Sequence, residues 1–142
     1  MDFYTLTFDA SMPKNPGNRA AYGFTIFNWA EHIYSGSGAI LGDKLDNNIS
    51  EFYSVFKGLQ YLDHIIPGPA SVNIKGDSAL VLNFLKKKWK MHKRKPFYEI
   101  YSKIEEILKR LHKRKVSILY TWIPRDQNEE CHNLAKKVLE KA

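Results

Sequence analysis

The stretch Phe-Tyr-Thr-Leu-Thr-Phe-Asp-Ala-Ser (3–11) opens the chain with a run of aromatic and β-branched residues that ends on a carboxylate. It reads as a strand over 3–8 with Asp9 at its end. Two further runs of the same composition, 21–29 and 32–40, are set off by a Pro/Gly/Asn segment and a short polar turn, so the three read as consecutive antiparallel strands. The pattern then changes period. Over 47–63, Ile49, Phe52, Tyr53, Phe56 and Leu59 fall at helical spacing, which predicts an amphipathic helix. Residues 72–76 form a short buried strand and 79–88 a helix; 97–112 carries Phe97, Tyr101, Ile104, Leu108 and Leu111 in one apolar helical stripe. A fifth strand is expected over 116–122. The last helix has Cys131, Leu134, Ala135, Val138 and Leu139 on its apolar face, and Asp126, three residues before Glu129, has the form of a capping box at its start. This is an α/β domain mixing three antiparallel strands with two that return through helices, expected as one unit over 1–142.

Composition narrows the partners. The net charge is +7 and the pI about 9.4. No Asp or Glu occurs between Ser78 and Tyr98, while seven of the ten residues from Lys86 to Lys95 are Lys or Arg. A polyanion is the natural partner for such a segment, and Trp89 within it adds a ring able to pack on a sugar or base. One cysteine, Cys131, makes an internal disulfide and a thiolate zinc site impossible, which fits a reducing cytoplasm. There is no basic-then-apolar leader and no apolar run long enough for a membrane span, so a soluble, unprocessed, free-standing protein is expected.

Three acids sit where chemistry would concentrate: Asp9 after the first strand, Glu51 in the first turn of the first helix, Asp77 after the fourth strand. Each has a plainer use. Asp9 suits a turn, Glu51 suits a capping box with Asn48, and Asp77 suits the cap of the helix starting at Ser78. Their surroundings favour the joint reading. Phe-Asp-Ala-Ser (8–11) with Asn-Pro-Gly (15–17), Asn-Asn-Ile-Ser-Glu-Phe (47–52), Gly-Asp-Ser (76–78) and Asn-Glu-Glu-Cys-His-Asn-Leu-Ala (128–135) resemble, in order and spacing, the four active-site blocks of type 1 ribonucleases H.

That resemblance spans nearly the whole chain and implies a ribonuclease H-like fold, a five-stranded mixed sheet flanked by helices. It also implies an endonuclease that hydrolyses the RNA strand of an RNA/DNA hybrid with two Mg²⁺ or Mn²⁺ ions, leaving 5′-phosphate and 3′-hydroxyl ends. By position, Asp9 bridges both ions, Glu51 and Asp77 hold the ion at the leaving group, and the fourth position helps hold the ion at the nucleophile. Two departures stand out. Ala10 replaces the family's usual glycine, and His132 replaces its fourth acid. Three accounts of His132 are open: a metal ligand through nitrogen, which would shift preference toward manganese; a proton acceptor or water-mediated helper; or the mark of a site that only binds hybrids. Nearness to the positive helix terminus favours a neutral imidazole. Related exonucleases that use a histidine carry further acids two residues after the first Asp and five after the His, but here these are Ser11 and Lys137.

The resemblance also places Asn15, Asn47 and Asn48 near the hybrid, where amides can serve ribose hydroxyls, with helix capping as the plainer use of Asn47 and Asn48. Ser78 and Arg125 suit phosphate contacts. Trp89, Lys90, Lys93 and Arg94 resemble the shortened basic excursion of compact members and would grip the DNA strand, with Lys86, Lys87 and Lys88 adding nonspecific attraction. A monomer without an obligate protein partner is expected. Two rivals remain, a noncatalytic hybrid-binding module on the same fold and an accessory domain of a reverse transcriptase or transposon protein.

Overall fold

Tyr4, Leu6 and Phe8 alternate along the first strand as fully or nearly fully buried side chains, while Thr5 and Thr7 between them are half-buried on the other face. A strand covered on both faces belongs at the centre of a sheet, and there it lies. The computed structural model describes residues 1–141. In chain order the elements are β1 (Phe3–Ser11), β2 (Gly17–Asn28), β3 (Glu31–Leu45), α1 (Asn47–Ile65), β4 (Ala70–Gly76), α2 (Ala79–Leu85), α3 (Tyr98–Lys113), β5 (Val116–Trp122) and α4 (Glu129–Glu140), with a 3₁₀ turn at Arg125–Gln127. The sheet order is β3-β2-β1-β4-β5. β1, β2 and β3 are antiparallel neighbours; β4 runs parallel to β1, and β5 parallel to β4. This is the five-stranded mixed sheet expected from the sequence.

Helix α1 packs on β1, β2 and α3, and the main core of Leu6, Phe8, Phe52, Leu59, Ile74 and Ile104 fills that side. Arg110 of α3 and Arg114, which caps that helix, both reach Asp63 near the end of α1, at 3.0 and 2.8 Å, and clasp the two helices. Helix α4 covers the opposite face of β1, β2 and β3. Its approach depends on Gly23. A Cβ there would drive into the Cys131 carbonyl oxygen, and would meet Leu134 Cβ at 2.9 Å and the Ala135 nitrogen at 3.0 Å, so the helix backbone rests directly on the strand. Among the described residues no helix is long and apolar enough to cross a membrane.

Several expectations need correction. The first three strands run further than 3–8, 21–29 and 32–40 at one end or both, because backbone pairing continues through Ser11 in β1, begins at Gly17 in β2 and reaches Leu45 in β3. Helix α2 ends at Leu85 rather than 88, and Lys87 takes φ 66°, a left-handed conformation that breaks the helix. The capping box at the last helix is absent. Asp126 lies in the 3₁₀ turn, and Asn128 occupies the cap position without a side-chain cap bond; its Nδ2 donates to the Phe8 carbonyl, and its Oδ1, the atom a cap would use, has no partner. At α1 the cap is Asp46, whose Oδ1 accepts the Ile49 N–H at 2.7 Å, so neither Asn47, Asn48 nor Glu51 is a capping residue.

Gly23→Ala therefore tests the seat of α4. Overpacking of this kind typically costs about 1–3 kcal/mol, so a clear drop in the urea midpoint is expected. Gly68→Ala, with nothing within 4 Å of the added carbon, should leave the midpoint nearly unchanged.

Candidate metal centre

The strand register assembles the acids. Thr7 of β1 pairs with Lys75 of β4 in parallel register, so Asp9 and Asp77, each two residues further on, emerge side by side at the same end of the sheet. Glu51, the fifth residue of α1 and so in its second turn rather than its first, comes over the same point. One oxygen from each of Asp9, Glu51 and Asp77 lies within 4.8 Å of the others. They open into a cleft of about 400 Å³ whose walls also carry Ala10, Asn47, Ser78, Trp122 and Arg125.

Buried polar contacts fix the end of β1. Asn128 Nδ2 donates to the Phe8 carbonyl at 2.9 Å, and Ser54 Oγ donates to the Asp9 carbonyl at 2.8 Å. The Ala10 N–H donates to Glu51 Oε1 at 3.1 Å. Asp9 and Glu51 are each only 4% exposed. Burial, foremost, raises the Glu51 carboxyl well above the ordinary range, with the neighbouring charges of Asp9 and Asp77 acting in the same direction. Asp9 is also raised, again chiefly by burial.

Glu51 Oε2 is buried without a hydrogen-bond partner. Three converging carboxylates, one with a buried orphan oxygen, fit a hard divalent cation, which requires oxygen donors and would compensate the accumulated charge.

His132, on the first turns of α4, stands beside this triplet rather than within it. Its Nδ1 lies 3.2 Å from Asp9 Oδ2, and it is not part of the compact three-acid cluster. With Nδ1 turned to Asp9, the other ring nitrogen, Nε2, is left for a further partner.

The other expected residues divide by position. Asn47, Ser78 and Arg125 line the cleft; Asn15, Asn48, Trp89, Lys90 and Lys93 do not. Asn15 acts one step back, its Oδ1 accepting the Asn47 N–H at 3.2 Å and tying the β1–β2 turn to α1. Ser78 also caps α2, accepting the Val81 N–H at 3.3 Å. Trp89 packs edge-on against Phe84 yet keeps 46% of its surface exposed, and Lys90 and Lys93 are exposed beside it. Lys87 is committed elsewhere, paired with Glu105 and donating to the Tyr101 hydroxyl at 2.8 Å.

Sequence reasoning missed Trp122, which is 53% exposed in the cleft wall with its indole N–H donated to the Asp77 carbonyl at 3.2 Å. An aromatic residue closing the fifth strand just before Arg125 was the available signal. It also missed the anchoring by Asn128 and Ser54. Cys131 has no reactive role: burial pushes its thiol up to about 12, and Sγ donates to the Thr7 carbonyl at 3.2 Å.

The raised Glu51 carboxyl has a signed consequence. The folded chain holds this proton more tightly than the unfolded chain, so the group's contribution to stability is fully present below about pH 4. It is lost as pH rises toward the raised value. Glu51→Gln keeps an acceptor for Ala10 and removes the buried charge. Without divalent ions it should melt a few degrees above the parent at pH 7, with the gap closing below about pH 4. Added Mn²⁺ should raise the parent's melting temperature and leave that of the variant nearly unchanged.

Relatives of known structure share this architecture. The N-terminal RNase H domain of rv2228c from Mycobacterium tuberculosis superposes with a TM-score of 0.83 at 22% identity, covering 99% of this chain and 96% of that one. RNase H1 from Halobacterium salinarum NRC-1 gives 0.80 at 23% identity, with 99% of each chain covered. LC11-RNase H1 in complex with an RNA/DNA hybrid gives 0.78 at 20% identity, with 97% of each covered. These likenesses establish the ribonuclease H fold. In sequence, the uncharacterized protein YpeP of Bacillus subtilis (strain 168) is 34% identical over 94 residues, 66% of this chain; the match spans about two fifths (39%) of that relative's length. Residues 7–138 match the family described as reverse transcriptase-like, and the chain belongs to that family.

Proposed function

We propose that this protein is a metal-dependent endonuclease that hydrolyses the RNA strand of RNA/DNA hybrids and leaves 5′-phosphate and 3′-hydroxyl ends. The observation that carries the reading is the convergence of Asp9, Glu51 and Asp77 within 4.8 Å at the strand ends of a ribonuclease H fold. A relative with that fold has been solved in complex with an RNA/DNA hybrid.

Asp9, Glu51 and Asp77 would hold Mg²⁺ or Mn²⁺, two ions in the catalytic complex, which supply charge neutralisation at the scissile phosphate and activation of water. The protein's own groups do the rest. Ala10 and the Asn128 and Ser54 anchors hold the carboxylates in place before substrate arrives. His132, with Nδ1–H on Asp9, presents Nε2 as the proton acceptor for the attacking water; this assisting role fits the 3.2 Å contact better than direct ligation alongside the triplet. Arg125 and Ser78 at the cleft wall receive phosphate oxygens, and Asn47, held by Asn15, reads a ribose hydroxyl with Asn48 beside it. The exposed indole of Trp122 packs on a sugar next to the cut. Trp89, Lys90 and Lys93 take the DNA strand. A monomer acting in the cytoplasm suits this chemistry.

A labelled hybrid incubated with Mg²⁺ or Mn²⁺ should be cut only in its RNA strand, and Asp9→Asn or Asp77→Asn should lower the rate by about two orders of magnitude or more. Tight hybrid binding without cleavage in either metal would instead make the chain a noncatalytic binding module. His132→Ala should lose rate where His132→Asp retains part of it; full activity of the alanine variant in both metals would remove the imidazole from the mechanism. Binding should weaken steeply with salt. The double variant Lys90→Ala/Lys93→Ala should reduce the slope of log affinity against log salt by about 1–2, and Lys87→Ala, already paired to Glu105, should change it much less.

A further inference from the structure

Strand β5 ends the sheet, and only β4 pairs with it. Its sequence, Val-Ser-Ile-Leu-Tyr-Thr-Trp (116–122), carries no charge and no proline, and its register with β4 runs without a bulge from Ala70↔Val116 to Gly76↔Trp122. Leu119 on this strand is 54% exposed. An uncharged, regular, unprotected edge is the form that natural sheets avoid unless something covers it.

Alongside the edge runs a groove of about 830 Å³ between β5 and α3. Its floor includes Leu108, Ile118 and Tyr120. Glu105, Lys109 and Lys113 follow one another along α3 at steps of four residues, so they share one helix face, and Lys115 immediately precedes β5. Glu105 is neutralised by Lys87, whereas Lys109, Lys113 and Lys115 are exposed and have no acidic partner among the described residues. The groove therefore offers three uncompensated cations above an apolar floor, beside a row of unpaired backbone donors and acceptors. It stops at Tyr120, two residues short of Trp122 in the catalytic cleft.

We infer that this edge and groove form a docking site for an extended acidic segment of a partner protein, which adds to β5 as a sixth strand. Its apolar side chains enter the groove, and carboxylates two residues away on the same face meet Lys109, Lys113 and Lys115. Charge complementarity selects an acidic partner. The apolar floor and the free strand edge select a peptide over a nucleic acid, because a sugar-phosphate backbone uses neither.

The test uses a fluorescein-labelled peptide of about ten residues, the length of a typical strand or slightly more, with threonine alternating with aspartate and leucine. The full chain should bind it saturably, and amide exchange over 117–121 should slow on binding. Lys109→Gln/Lys113→Gln/Lys115→Gln, at an unchanged melting temperature, should weaken binding at least tenfold. A peptide N-methylated at alternate backbone nitrogens should lose binding to the parent chain. Absence of saturable binding, or binding indifferent to both the lysine substitutions and N-methylation, would overturn the inference. Displacement of the peptide by oligothymidylate, with no slowing of exchange over 117–121, would also overturn it and assign the groove to single-stranded nucleic acid.

Discussion

Glu51 is held out of water with one oxygen given to the Ala10 N–H and the other given to nothing, in close company with Asp9 and Asp77. Carboxyl groups crowded in this way resist ionisation together, and protonation or a cation is needed to relieve them. Much of the surrounding structure serves to maintain that crowding. The parallel register of β1 and β4 sets two acids level, Asp46 caps α1 so that its first turns deliver the third, and Asn128 and Ser54 occupy the carbonyls that would otherwise let the end of β1 shift. Burial elsewhere acts against that cost, with Leu6, Phe52, Leu59, Ile74 and Ile104 wholly enclosed and α1 clasped to α3 through Asp63.

The basic segment after α2 joins this site to its surroundings. Because Lys87 is anchored to Glu105 and Tyr101, and Trp89 leans on Phe84, the segment leaves the core from two fixed points. The free lysines beyond are displayed from a defined base. One lysine of the run is thus structural, although its neighbours in sequence are solvated and available to phosphate.

Element order was legible because period and composition speak directly to backbone choice, and β5 matches the expected 116–122 span. Ends were less legible for identifiable reasons. Gly42, Asp43 and Lys44 carry no strand-forming signal, yet pairing with the start of β2 carries β3 past Ile40 to Leu45. Lys86 to Lys88 look like good helix formers, yet the positive φ of Lys87 ends α2 and its side chain is drawn to a glutamate 18 residues away. The apparent capping box at Asp126 failed because that residue is taken into the 3₁₀ turn and α4 starts only after Asn128, which is held on β1 across 120 residues of sequence. The three acids were visible as matched blocks. Trp122 was not, because its local signal, an aromatic residue closing a strand, gains meaning only from where the end of β5 lies relative to Asp77.

The contact at Gly23 bears on how such a site can change over time. Helix α4 is seated by main chain against main chain, with Gly23 paired in the sheet opposite Asp9 itself. The backbone around residue 132 is therefore held by Gly23 and by the Asn128 and Cys131 contacts to β1, to which the His132–Asp9 contact is added. A change of side chain at 132 would therefore meet a helix already held by its neighbours, whereas any side chain added at 23 would collide with the backbone of that helix.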